Sequence, residues 1–263
     1  MNLYDFRCMR RGIALATVKD SESYLLHDQY IHHPAATNNR AILLLHGFGS
    51  SPAVFRILMP YLTKYNAISI PALPGHGSNI QEFSDCMAQD WLIAAEVQLQ
   101  NLYKKFSLVD VLGFSLGGIL ALQLNTKFSI NHLYLLAPAL SLRIPIPITL
   151  LTAKLLRYCG FSNLRNSAGN LYTNTCCEIA YRQLPLNAII ELLNLINDFK
   201  FSQPHCPTDV FLGAHDTVLA NTKIKHMFHN MEHTTLHTLK NSAHVLPLDM
   251  DCNIIGQYIS NNF

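Results

Sequence analysis

"VLGFSLGGIL", residues 111–120, carries the first clue to the architecture of this chain. A single hydroxyl, Ser115, stands between Gly113 and Gly117 in a run otherwise apolar enough for a protein core. The residues entering it, "SLVDVLGF" (107–114), read as a buried strand, and those leaving it, "LGGILALQL" (116–124), as a helix. The serine therefore occupies a strand-to-helix turn. Gly113 and Gly117 complete G-x-S-x-G, in which glycine permits a turn too tight for neighbouring Cβ atoms. Such a turn lifts the hydroxyl clear of a sheet and leaves it at the positive end of the following helix. Taken alone, the pentapeptide also describes a serine in a glycine-rich packing turn, so the rest of the chain must decide.

Outward from it, short apolar runs bounded by turn residues recur at 41–45, 67–70, 132–137, 209–214 and 234–239, and read as strands. Helical spacing fills 88–106 and 116–128, so strand and helix alternate. Alternation predicts an α/β fold with a mainly parallel sheet and helices on both faces. It fails between 141 and 207, a segment rich in leucine, isoleucine and asparagine, punctuated by proline and without a convincing strand. The expected organisation is a core of 1–140 and 208–263 with a helical insertion, 141–207, over one end of the sheet.

Hydrophobic residues make up 49% of the 263, enough for a layered core, and the net charge of +2 with no basic run argues against nucleic acid as a partner. The seven cysteines are odd in number, scattered and without C-x-x-C spacing, so they read as reduced thiols of a cytoplasmic protein. The N-terminal residues show no secretory pattern. The most apolar long stretch, 144–161, contains two prolines, Lys154 and Arg157, and is a poor membrane span.

A serine nucleophile needs a base, and the base an orienting carboxylate. Asp216 in "FLGAHDTVL" follows one strand-like run and His244 in "NSAHVLPLD" follows another, both where strand C-termini open onto ligand sites. The other twelve histidines lack that combination of strand end, small neighbours and order, and Asp209, Asp249 and Asp251 are the rival acids. Oxyanion stabilisation requires backbone N–H donors, worth about 3 to 4 kcal/mol each. Phe48, in "LLLHGFGSSP" (43–52), and Leu116, at the helix start, are placed to supply them, with His46 structural.

With "PALPGHGSN" (71–79) added, these blocks resemble the α/β-hydrolase superfamily, in particular its bacterial carboxylesterase and monoacylglycerol-lipase branch. The resemblance implies Ser115 as nucleophile, Asp216 as acid, His244 as base, and Phe48 and Leu116 as oxyanion donors. It makes 141–207 a cap over an acyl pocket, and requires neither metal nor organic cofactor. The expected activity is hydrolysis of short- to medium-chain acyl esters as a carboxylesterase. The alternatives are a monoacylglycerol lipase, a thioesterase or methyl-esterase acting on a carrier-bound acyl group, and a binding protein that has lost the chemistry. Over 141–200 six basic residues (Arg143, Lys154, Arg157, Arg165, Arg182, Lys200) face three acids, which reads either as a solvated outer face or as a dock for an acidic acyl carrier or an anionic lipid. The leucines and isoleucines of 148–156 and 189–196 are expected to line the acyl pocket.

Overall fold

The computed structural model describes residues 1–34 and 38–263. The chain opens with a hairpin, β1 (Phe6–Arg10) and β2 (Ile13–Thr17), followed by β3 (Gln29–His32), β4 (Arg40–Leu45) and β5 (Ala67–Ile70). Helices α1 (Ile80–Asp85) and α2 (Ala88–Tyr103) lead to β6 (Leu108–Phe114), α3 (Leu116–Lys127) and β7 (Leu133–Leu136). Next come α4 (Ile146–Tyr158), β8 (Asn163–Arg165), β9 (Glu178–Tyr181), β10 (Gln183–Pro185) and α5 (Leu186–Asp198). The chain finishes with β11 (Thr208–Gly213), α6 (Asn221–Met227), β12 (Thr234–Leu239) and α7 (Cys252–Asn261).

The main sheet has seven strands in the order β12-β11-β7-β6-β4-β5-β3, all parallel except β3, which runs antiparallel to β5. Every residue of β4, β7 and β11 is buried, as expected where helices cover both faces of a parallel sheet. The order reverses at β4, whose neighbours are β5 on one side and β6 on the other. Chains leaving β4 and β6 part there and open a crevice at the C-terminal edge of the sheet. Register sets Leu45 level with Gly113, so the His46–Gly49 loop and the Ser115 turn leave that edge side by side. At the opposite end of the same strands, Arg40 donates to Asp110, whose carboxylate also accepts from the Tyr65 hydroxyl and from Asn131. That buried charge is paired on every side, the condition under which its burial is tolerated.

Segment 141–207 is only partly helical. Instead of lacking strands it contains β8, β9 and β10. β8 pairs with β10, and β9 joins the N-terminal hairpin in a second sheet, β2-β1-β9, with Phe6 opposite Tyr181. These ladders are short and β9 finds its partner far away in sequence, so no local alternation announces them. The expectation of seven reduced thiols also fails: Cys8 in β1 and Cys177, just before β9, form a disulfide. Antiparallel pairing brings their Cα atoms to 5.4 Å, inside the range a disulfide spans. The five other cysteines are free. No described helix is long and apolar enough to cross a membrane.

The two helices of the segment differ in their environments. α5 packs on α1, α2 and α4 and buries Leu186, Ala188, Leu193 and Ile196. α4 buries only Ala153; Ile148, Leu151 and Leu155 face solvent, contrary to the expectation that 148–156 would line a pocket.

Candidate functional site

Ser115 sits at the turn between β6 and α3 with φ 54° and ψ −112°, a backbone conformation rare for a residue with a Cβ. Its flanking glycines are required by close approach. A Cβ on Gly117 would lie 2.0 Å from the Leu45 carbonyl oxygen, and one on Gly113 would lie 2.3 Å from the Gly117 oxygen. α3 is therefore pressed directly against β4 and β6, which fixes the elbow that holds the hydroxyl.

The structure brings three of the residues singled out in the sequence into one line. Ser115 Oγ lies 3.0 Å from His244 Nε2, and His244 Nδ1 lies 2.8 Å from Asp216 Oδ2. An ionised carboxylate only accepts hydrogen bonds, so Nδ1 carries the proton and Nε2 is free to accept from the serine hydroxyl. Asp216 is fully buried, and its other oxygen accepts from the N–H groups of Val218 (2.7 Å) and Leu219 (2.9 Å). Burial pushes the Asp216 pKa up, but the charge and hydrogen bond of His244 and the two backbone donors outweigh it, and the net shift is downward. A charged Asp216 is thereby stable in the core. His244 itself is nearly buried, with its ring tilted against Phe114.

Phe48 follows the β4 loop and Leu116 opens α3. Among the described residues neither backbone N–H has an acceptor within the chain. Phe48 and Ser115 line the same cleft. His46 lies beneath: its Nδ1–H donates to the Gly47 carbonyl and its Nε2 accepts from the Leu73 N–H at 3.0 Å. Burial lowers the His46 pKa to about 4, which keeps the ring neutral in that tautomer. It pins the turn after β4 to the turn after β5.

The rival acids have other duties. Asp209 lies at the start of β11 and binds His132, His237 and Tyr258. Asp249 accepts from the backbone of Tyr172, Thr173 and Ala243, while Asp251 accepts from Asn241 and Ser242. Among the described residues no group of His, Cys, Asp or Glu is arranged to hold a metal ion.

The cleft has a volume of about 210 Å3 and is walled by Leu184, Leu192 and Ile196 from β10 and α5, by 166–170, and by Glu178. The 189–196 half of the expected apolar lining is thus present and the 148–156 half is not. Two residues close to this site carry no sequence signal. Asn170 touches the backbone of His244, and Glu178 is a buried carboxylate that accepts from the Gly169 N–H. Burial raises the Glu178 pKa, opposed by the Gly169 hydrogen bond. Arg143, read in the sequence as one charge of a basic surface, is exposed and also donates to the carbonyl groups of Asp216 and Leu219.

A doubly wound parallel sheet with a cleft at its C-terminal edge, where loops from β4, β6, β11 and β12 converge, defines an α/β protein with a loop-built site. Residues 42–252 match the family model described as alpha/beta hydrolase family, and the chain belongs to that family. It is 25% identical over 216 residues to a thermostable monoacylglycerol lipase of Bacillus sp. (strain H-257), covering 80% of this chain and 84% of the lipase. It is likewise 25% identical over 227 residues to a carboxylesterase of Bacillus subtilis (strain 168), covering 83% and 90%. Among solved structures, a chain described under LipS and LipT, two metagenome-derived lipolytic enzymes, superposes with a TM-score of 0.79 at 21% identity, covering 91% of this chain and 98% of that one.

Proposed function

We propose that the chain is a serine hydrolase of carboxylic esters, in which Ser115 is the nucleophile, His244 the general base and acid, and Asp216 the residue that orients and charges the histidine. The observation that carries this reading is the unbroken line Ser115 Oγ, His244 Nε2, His244 Nδ1, Asp216 Oδ2 at the mouth of a cleft. Ser115 Oγ attacks the ester carbonyl as His244 Nε2 takes its proton, and the imidazolium is stabilised by Asp216. The N–H groups of Phe48 and Leu116 receive the negative oxygen of the tetrahedral intermediate. His244 returns the proton to the departing alcohol. Water then repeats the sequence on the acylated serine. Segment 141–207 is the cap of this site, contributing the wall from β10 and α5.

Two features bear on substrate. At about 210 Å3 the cleft is smaller than ordinary ligand pockets of about 300 to 1,000 Å3, which favours short- to medium-chain acyl groups. The solvent face of α4 favours a lipid such as a monoacylglycerol presented at an anionic surface: Ile144, Ile148, Leu151, Leu155 and Tyr158 recur at helical spacing and are exposed, beside Lys154 and Arg157. In the alternative dock for an acidic acyl carrier, Arg143 keeps its charge but is tethered to the carbonyl groups of Asp216 and Leu219.

The test is turnover of p-nitrophenyl esters from acetate to palmitate, beside monoacylglycerols, with labelling by a fluorophosphonate. Ser115→Ala should abolish turnover and labelling while leaving the fold intact. Asp216→Asn should lower kcat by about 10³- to 10⁴-fold. Retained turnover by Ser115→Ala would overturn the assignment.

A further inference from the structure

We infer that Asn170 is a positioning residue for His244, and that the strap of residues 166–177 to which it belongs holds the catalytic loops together as well as walling the cleft; the inference rests on the hydrolase reading above. His244 lies in the loop after β12, outside any helix or strand. Its backbone is fixed by Asn170. The His244 N–H donates to both the carbonyl oxygen (3.1 Å) and the side-chain Oδ1 (3.0 Å) of Asn170, and the Val245 N–H donates to the same carbonyl at 3.1 Å. The other end of the Asn170 amide reaches the acid: Nδ2 donates to Thr217 Oγ1 at 2.7 Å, one residue past Asp216. A single side chain from the inserted segment therefore joins the loop of the base to the loop of the acid.

The strap is itself anchored. The N–H groups of Tyr172 and Thr173 donate to Asp249, which also accepts from Ala243, next to His244. Arg11 donates to the carbonyls of Leu171 and Tyr172, Arg10 to that of Asn174 and Arg56 to that of Cys177. The Cys8–Cys177 disulfide closes the far end. Gly169, at φ 78°, passes so near β1 that a Cβ there would lie 2.3 Å from the Met9 oxygen. The hairpin that receives the strap lies outside the 42–252 family match. Placement of the base thus depends on a strap whose far anchor lies outside the matched segment.

Displacing a reacting group by about 1 Å can cost about 100-fold in rate. For a short p-nitrophenyl ester, Asn170→Ala should lower kcat by about 10- to 100-fold with KM within about 2-fold of the parent, and slow fluorophosphonate labelling of Ser115 in proportion. Asn170→Asp keeps the Oδ1 acceptor, and the Thr217 hydroxyl can turn to donate to the new carboxylate, so it should recover most of kcat. Thr217→Val should give a smaller loss, and the double variant Asn170→Ala/Thr217→Val should be no slower than Asn170→Ala, since the Asn170–Thr217 bond that Thr217→Val removes is already lost in Asn170→Ala. Parent-like kcat in Asn170→Ala, a rise in KM alone, or losses that multiply in the double variant would each overturn the inference. Should Asn170→Ala fail to fold, Thr217→Val decides by itself: reduced kcat supports the inference and parent-like kcat overturns it. Ser115→Ala is run alongside. If it stays active the hydrolase reading falls; if it is inactive while the Asn170 and Thr217 variants match the parent, only the positioning role falls.

Discussion

Arg143 grips the loop of Asp216 from the first residues of the inserted segment: its guanidinium donates to the Asp216 carbonyl oxygen at 2.5 Å and to the Leu219 oxygen at 3.1 Å. Asp216 is thus held through its side chain by Val218 and Leu219 and through its backbone by Arg143. Arg143→Met leaves those carbonyls without their charged donor and should cost about 1 to 3 kcal/mol of stability together with several-fold in kcat. Lys154→Met, on the exposed side of α4, should change stability by less than about 0.5 kcal/mol. Urea unfolding and ester turnover compare the two, and equal behaviour would remove the grip.

The elbow predicts intolerance of a single methyl group. In Gly117→Ala the new Cβ meets the backbone oxygen of Leu45, an atom of a fully buried strand that has nowhere to move. Overpacking of this kind costs about 1 to 3 kcal/mol or more, and any relief moves α3 away from β4. The expected outcome is a lower melting temperature and loss of labelling at Ser115. A labelled, parent-like protein would show that α3 can retreat without disturbing the serine.

Acid sensitivity should arise far from the cleft as well as within it. Burial would raise the pKa of Asp209, but hydrogen bonds from His132, His237 and Tyr258 prevail and hold it at about 2. A carboxylate lowered in the folded state stabilises the protein above its unfolded value of about 3.9, and the gain is lost as pH falls through about 2. The shift corresponds to about 2 kcal/mol. Asp209→Asn should therefore lower stability at neutral pH and flatten its fall between about pH 4 and 2, as read by urea unfolding across that range. An unchanged slope would assign the acid limb to other carboxylates.

At a lipid surface α4 should bind through its exposed stripe. Lys154 and Arg157 each contribute about 1 kcal/mol near an anionic membrane, so binding to phosphatidylglycerol vesicles should exceed that to phosphatidylcholine by about 30-fold. Leu151→Glu/Leu155→Glu should abolish cosedimentation and leave hydrolysis of a soluble acetate ester intact. Unaltered cosedimentation would locate the lipid contact elsewhere.

How much of this was legible in the sequence depended on whether a signal was local. β4, β6 and β11 are each built around a short apolar run, and Ser115, Asp216 and His244 each follow a strand within a few residues, so pattern alone locates them. β1 and β9 are five and four residues long and meet across more than 160 positions, which no window of periodicity can register. The Cys8–Cys177 bond accompanies that long-range pairing and is hidden with it, and the contacts of Asn170 with Thr217 and His244 are likewise distant in sequence. Arg143 was visible as a charge but not as a hydrogen-bond donor, because composition records sign and not direction. The exposed leucines of α4 show the converse: apolar periodicity predicted a buried face, and the structure turns that face outward.

Ser115 is held at φ 54°, a conformation that costs a residue with a side chain about 1 to 3 kcal/mol. On the role proposed for Ser115, the fold tolerates a strained turn in order to display one oxygen, and stability and reactivity compete at a single backbone position. Ser115→Gly would relax the turn while discarding the hydroxyl, giving a protein that melts later and does nothing. Selection for thermal robustness alone would drift toward that dead form, so any engineering of this chain must score turnover alongside melting.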